Sequence, residues 1–321
     1  MKRTRRHRMR SRLTAAALAA CAAVAAPVLA TAPADADAGA ETAYPVGDLS
    51  TSIGNFLFSP DAVAGANVWT CRPSAEHPYP VVLVHGTTSN LGSAGAMIAP
   101  TLANAGYCVY GFNYGETSSS LGHVYGLGEI AASARTMSAF VDRVLTATGA
   151  AKVDVIGASQ GGMMPNYYIK RLGGAGKVRT MIGLSPTNHG TTMGGLVDLG
   201  RTLHVLGLVN DAYRFAGAPT YPEQEEGSDF QKALFADGDT VPGVRYLTIA
   251  TSHDTTVTPL ANSFLHGGDS TNILLQDLCP DDPVSHSGMT LDGPVMQIVL
   301  NAVGPREPGF RPRCTGYGPN I

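Results

Sequence analysis

Apolar residues along this chain gather into short runs, and between the runs they recur every three or four positions. Residues 79–84, 107–112, 153–158, 178–184 and 244–250 are runs rich in Val, Ile, Leu and Tyr, of strand length, and predict strands buried on both faces. Residues 94–105 read as a helix stopped by Gly106. Ile130, Ala134, Met137, Val141, Val144 and Leu145 mark an amphipathic helix closed by Gly149. Helical character follows from Met163 to Leu172, and 295–302 predicts a closing helix. Strands alternating with helices imply an α/β fold with a mostly parallel sheet covered on both faces. In such sheets sites lie beyond the carboxyl ends of the strands.

Two stretches depart from this rhythm. Residues 39–75 are punctuated by Gly, Ser and Pro and read as a surface wrap. Residues 190–243 show no strand, but Leu196, Leu199, Leu203, Leu206 and Val209 form an apolar stripe there, with Arg201 and His204 among them. Two readings follow: a core helix packed on the sheet, or a cap or lid over a pocket, since an insertion between the fourth and fifth strands overhangs their carboxyl ends.

The chain has 321 residues, enough for a full core, and only 15% of them are charged. Its first 38 residues read as a secretory signal peptide. Seven Lys and Arg between Lys2 and Arg12 precede an alanine-rich run over 13–30, and small-residue cleavage patterns follow at 30–32 and 36–38. Leu18-Ala19-Ala20-Cys21 resembles a lipoprotein box, a minor alternative because the apolar run continues past Cys21; Arg5-Arg6 hints at twin-arginine export. Residues 39–321 are then a single catalytic domain, left with 15 basic and 23 acidic residues, a net charge of −8. So acidic a surface speaks against nucleic acid and against docking on anionic lipid. A monomer without a stable membrane anchor is expected. Beyond Cys21 four cysteines remain, which suits an oxidising compartment and allows three pairings. Cys71 with Cys108 and Cys279 with Cys314 are favoured, each pair being near in sequence and the second tying down the Pro/Gly-rich tail. No Cys-x-x-Cys or His cluster has metal-ligand spacing, and no cofactor is implied.

The chemistry centres on Gly157-Ala158-Ser159-Gln160-Gly161-Gly162. A Gly-x-Ser-x-Gly between a strand and a helix lifts a serine hydroxyl above the sheet on a strained turn, with small residues two before and two after. Ser159 is the candidate nucleophile. The Gln160 amide, at the helix N-terminus, and the Thr87 amide, in the loop after the first strand, are the candidate oxyanion hole, with a Thr87 or Thr88 hydroxyl as a third donor. A serine needs a histidine to take its proton and a carboxylate to orient that histidine. In chain order after Ser159, Asp254 stands in a polar turn just past a strand, and His286 in a loop before the closing helix. Asp281 and Asp282 compete with Asp254 but lack a preceding strand. His253 reads as a solvated neighbour, His85 as a structural hydrogen-bonder under its loop, and His189 and His266 as residues near the mouth.

These segments together resemble the secreted bacterial lipases of the α/β-hydrolase superfamily. The likeness rests on 81–86, 156–162, 246–259 with Asp254, and His286-Ser287-Gly288, and spans about 44–302. The serine elbow and the Asp254-x-x-Val257-x-Pro259 segment also resemble fungal lipases of the B type, where a cysteine pair brackets the first strand as Cys71 and Cys108 do. The resemblance implies an α/β-hydrolase fold with a helical cap, hydrolysis of acylglycerols or other carboxylic esters, Ser159, Asp254 and His286 as the triad, and a lipid or other ester as partner. A polyester or cutin hydrolase, and a non-catalytic binding module on the same fold, are the alternatives.

Overall fold

The computed structural model describes residues 43–321, which form one compact unit. The expected signal segment and Cys21 lie outside the described residues. Six parallel strands make a single sheet: β1 Val81–Val84, β2 Val109–Phe112, β3 Val153–Ala158, β4 Val178–Leu184, β5 Arg245–Ala250 and β6 Ser270–Leu274. Around it run α1 Leu49–Phe58, α2 Leu91–Ala94, α3 Ile98–Asn104, α4 Ile130–Thr148, α5 Gln160–Arg171, α6 Leu196–Thr202, α7 Leu206–Phe215, α8 Thr220–Glu223, α9 Asp229–Phe235, α10 Leu275–Leu278 and α11 Gly293–Val303.

Strand alternation divides the core in two. Val82 and Val84 of β1 face α4 and α5 and join Met137, Val141 and Met163. Val81 and Leu83 point the other way, toward α3 and α11, among Leu102, Ile298 and Val299. The sheet order is β2-β1-β3-β4-β5-β6, so the chain leaves β1 for one neighbour and then returns past it to the other. That reversal makes the carboxyl ends of β1 and β3 the topological switch point, where α/β sheets open a crevice. Residues 85–90 and Ser159 follow those two ends.

The five anticipated strands are present, within two residues of their expected starts. The helix read over 94–105 is two pieces, α2 and α3. Restarting at Ile98 puts Pro100 in a first turn, where its missing N–H is one of the donors left free in any case. β6 was not anticipated: Ser270, Thr271 and Asn272 give an edge strand little apolar signal. The surface wrap of 39–75 contains α1, capped by Asp48, which accepts from Thr51 N at 2.9 Å.

Residues 190–243 hold α6 to α9 and no named strand. The core-helix reading of the Leu196–Val209 stripe is overturned. His204, at φ 57°, breaks the stripe into two helices, and α7 has no buried residue. Leu208 is 74% exposed and Phe215 95% exposed. Two disulfides pair Cys71 with Cys108 and Cys279 with Cys314, as spacing suggested, with Cα separations of 5.7 and 5.4 Å.

Candidate active site

β3 delivers the elbow. Ser159 has φ 55° and ψ −124°, a region that side chains other than glycine seldom occupy, and it is the cap residue of α5. So sharp a turn leaves no room at its flanks. A Cβ on Gly157 would sit 1.8 Å from the Gly161 carbonyl oxygen, and one on Gly161 would meet the Val84 and His85 oxygens at 2.3 Å. A Cβ on Gly162 would meet Pro186 at 2.6 Å, so this glycine lets α5 pack on β4. The motif is therefore set by backbone approach at each of its glycines.

The carboxyl ends of the remaining strands bring up the other groups. Asp254, in the turn after β5, has a fully buried side chain whose Oδ2 lies 2.8 Å from Nδ1 of His286. Its Oδ1 accepts from the amides of Thr256 and Val257, each at 2.8 Å. Burial acts to raise the Asp254 carboxyl, but the hydrogen bond and charge of His286 and the two amides outweigh it and hold it below the ordinary range. An ionised carboxylate here fixes the ring with Nδ1 as donor and Nε2 free. His286 and Ser159 border the same two cavities. Among the described residues no hydrogen bond joins the Ser159 hydroxyl to the ring, a contact that often tightens only when substrate is bound.

Thr87 and Gln160 meet through their side chains. Thr87 Oγ1 donates to Gln160 Oε1 at 2.8 Å, and Gln160 Nε2 donates to Thr220 Oγ1 at 2.8 Å. Gln224 closes the ring: its Nε2 donates to Thr87 Oγ1 at 2.9 Å, while its Oε1 accepts from Thr187 Oγ1 at 3.0 Å. The hydroxyls suggested as a third oxyanion donor are otherwise engaged, since Thr87 donates to Gln160 and Thr88 to the Thr87 carbonyl at 2.6 Å. Thr220 and Gln224 belong to the 190–243 stretch and were missed. Gln224 stands among Glu223, Glu225 and Glu226, which reads as a solvated run. Instead Glu223 accepts from the Ile130 amide at the start of α4 at 2.8 Å, and Gln224 is buried.

His85 is buried, stacks on Tyr114 with ring centroids 4.3 Å apart, and contacts the Gly86 carbonyl through Nδ1 at 2.8 Å. Desolvation lowers its pKa to about 4, so it stays neutral and structural, as anticipated. His253 is exposed. His189 and His266 border neither cavity at Ser159; His189 pairs with Asp239 at 3.2 Å beside Phe235. Asp281 is exposed, and Asp282 is buried against the Val284 amide rather than against His286.

The two cavities meet at Ser159, His286, Ser287, Thr87 and Thr88. One, of about 360 Å³, is walled by Leu49, Ile53, Phe56 and Leu57 of α1 and by Leu291. The other, of about 260 Å³, lies against the 190–243 stretch and is walled by Thr191, Met193, Tyr221, Gln224, Glu225 and Thr256. The spacing of Leu49, Ile53, Phe56 and Leu57 is helical, a signal for α1 that the sequence reading passed over.

A family model described as lipase (class 2) matches residues 78–277, from just before β1 through α10. The chain belongs to the class 2 lipase family. The parallel sheet with helices around it has the α/β-hydrolase form of the lipases to which the chain is similar. Among solved structures the chain is similar to lipase B of Aspergillus fumigatus, with a TM-score of 0.59 and 19% identity over 78% of this chain. It spans 57% of the length of that fungal enzyme. It is also similar to the mature form of the lipase BlEst2 of Bacillus licheniformis, with a TM-score of 0.53 and 16% identity over 73% of this chain and 94% of that one.

Proposed function

We propose that this class 2 lipase is a secreted serine hydrolase that cleaves carboxylic esters of lipids through an acyl-enzyme. The observation that carries the reading is an elbow serine at φ 55° sharing two cavities with an imidazole whose Nδ1 is held by a buried carboxylate. Ser159 Oγ attacks the ester carbonyl as His286 Nε2 takes its proton. The Thr87 and Gln160 amides hold the oxyanion, aided by the dipole at the start of α5. His286 then passes the proton to the departing alcohol, and water enters by the same route in reverse to release the acid. Asp254 keeps the ring oriented and balances its charge while it is protonated.

Secretion is supported by the leader pattern and the two disulfides, which suit an oxidising compartment. Among the described residues no helix is long and apolar enough to cross a membrane. A lipid substrate is supported by the apolar α1 wall and by exposed leucines on α6 and α7, where the 190–243 cap acts as a lid. The test is hydrolysis of p-nitrophenyl esters from short to long chain, with emulsified triolein alongside, by the purified protein and by Ser159→Ala. Long-chain and triolein turnover that vanishes in folded Ser159→Ala is the expected result. Turnover surviving in the variant would overturn the assignment.

A further inference from the structure

The two cavities at Ser159 both mix apolar and hydroxyl-bearing walls, and a carboxylate side chain, that of Glu225, lines one of them alone. An ester carbonyl placed for attack, with its oxygen toward the Thr87 and Gln160 amides, must send its acyl and alkoxy arms in different directions. Two cavities border that point. The α1 side offers Leu49, Ile53, Phe56 and Leu57, which suits a hydrocarbon arm. The other side offers a carboxylate, a phenol and a threonine hydroxyl from Glu225, Tyr221 and Thr256, with Met193 as its apolar wall.

Two of those polar groups, Glu225 and Thr256, keep bonding capacity to spare. Glu225 accepts from Asn210 through Oε2 at 3.2 Å, while Oε1 has no hydrogen-bond partner among the described residues. The Thr256 hydroxyl likewise has no partner among them, although its carbonyl accepts from Thr191 Oγ1 at 2.5 Å. Arg201 and Arg214 act on the Glu225 carboxylate through space, but neither is hydrogen-bonded to it, and each has its own partner. Arg201 pairs with Asp198 at 2.9 Å, and Arg214 with Asp211 at 3.0 Å. Glu225 thus brings an acceptor and a negative charge to a pocket that borders Ser159. A phosphate or a second carboxylate would be repelled there. An apolar arm would strand a half-buried carboxylate without its water. An ammonium could satisfy Glu225 but would accept nothing from the hydroxyls, whereas an alcohol donates and accepts.

We propose that the cavity lined by Glu225 is an alcohol subsite that selects esters whose leaving alcohol carries further free hydroxyls, as partial glycerides and other polyol esters do, with Glu225 as its specificity-determining residue. The inference rests on the serine ester hydrolase reading above and narrows it. Burial also raises the Glu225 carboxyl, consistent with a group that gains from a donor placed against it. Charging the substrate arm with hydroxyls strengthens binding throughout the reaction, so the effect belongs in kcat/KM.

Three soluble esters separate the possibilities: monobutyrin, propyl butyrate and propyl 3-hydroxybutyrate. The first two share the acyl group and the three-carbon alcohol skeleton, and differ by the two free hydroxyls; the third moves a hydroxyl to the acyl arm. The expected result is kcat/KM for monobutyrin roughly ten-fold or more above propyl butyrate, with no such gain for the hydroxyacyl ester. That ratio should collapse toward one in Glu225→Leu and shrink in Glu225→Gln, a near-isosteric change that guards against a folding defect. Equal rates on monobutyrin and propyl butyrate would overturn the proposal, as would a ratio unchanged in both variants or a gain confined to the hydroxyacyl ester. Failure of the parent reading looks different: none of the three esters is cleaved, or cleavage persists in Ser159→Ala.

Discussion

Replacing Gln224 with methionine keeps the length of the side chain and removes its hydrogen bonds, at a residue that touches neither the serine nor the histidine. Gln224 Nε2 donates to Thr87 Oγ1 at 2.9 Å and to Thr220 Oγ1 at 3.2 Å, and its Oε1 accepts from Thr187 Oγ1 at 3.0 Å. In the variant the buried Thr187 hydroxyl loses its acceptor. Thr87 still donates to Gln160 but is no longer held from the cap side. A buried polar group left unpaired costs about 1–3 kcal/mol, so a loss of about 2–4 kcal/mol is expected for the hydroxyls together. For a domain of this size that lowers Tm by roughly 3–7 °C. The kinetic consequence is separable. The Thr87 amide is proposed to bind the oxyanion, and a modest displacement of such a donor is felt in the transition state more than in substrate binding. At a temperature where the variant is folded, kcat for p-nitrophenyl butyrate should fall roughly 10- to 100-fold with KM changed by less than about three-fold. A lowered Tm with kcat unchanged would refute the reasoning, because the ring would then brace the cap without positioning the amide.

Other substitutions probe other parts of the account. Asp254→Asn should keep its bonds from the Thr256 and Val257 amides and so fold, yet its NH₂ would face His286 Nδ1 and favour the wrong tautomer; kcat should fall roughly 10³- to 10⁴-fold. A milder loss in steady-state assays would mean that Asp254 does not orient the ring. Asp292, buried beside Asp282, is raised to about 6 by burial, with the neighbouring carboxyl adding to it. Its folded pKa lies above its unfolded value, so its stabilising contribution is complete below the ordinary carboxylate range and is lost as pH rises toward 6 and beyond. Asp282→Asn should therefore gain Tm on the parent protein between pH 4.5 and pH 7.5, and an equal difference at both pH values would contradict the pairing. Each disulfide closes a loop of 35 or 37 residues, for which the chain-entropy relation gives about 4 kcal/mol. Dithiothreitol should then lower Tm by more than about 10 °C, and an unmoved melting curve would show the bonds to be dispensable.

The sheet and the triad candidates were legible because their causes are local. A buried parallel strand must be a short apolar run, and the elbow must carry glycines where Gly161 passes the Val84 and His85 carbonyls. Position just past a strand then separated Asp254 from Asp281 and Asp282, and the loop before the closing helix marked His286. What stayed hidden depends on tertiary partners. β6 is an edge strand with a polar first half, and Gln224 is polar because it pairs with Thr87, a residue 137 positions away. Nothing in the run Glu223-Gln224-Glu225-Glu226 distinguishes a buried ring and a cavity wall from a solvated face. The apolar stripe over 196–209 misled for a related reason: helical spacing reports that one face is apolar and is silent on whether anything covers it. In α6 and α7 that face is largely exposed. α1 was an oversight of a different kind, since its spacing was present and was outweighed by the Gly and Ser content around it.

The central claim is that Ser159, activated by His286, is the nucleophile. It is tested most directly by treating the purified protein with a serine-directed alkyl phosphonate and mapping the adduct by peptide mass spectrometry. The account predicts one adduct per chain, on the peptide carrying Ser159, with ester hydrolysis lost in step with labelling. His286→Ala, folded by circular dichroism, should label far more slowly. An unlabelled protein that still hydrolyses esters, or an adduct on any residue but Ser159, would contradict it.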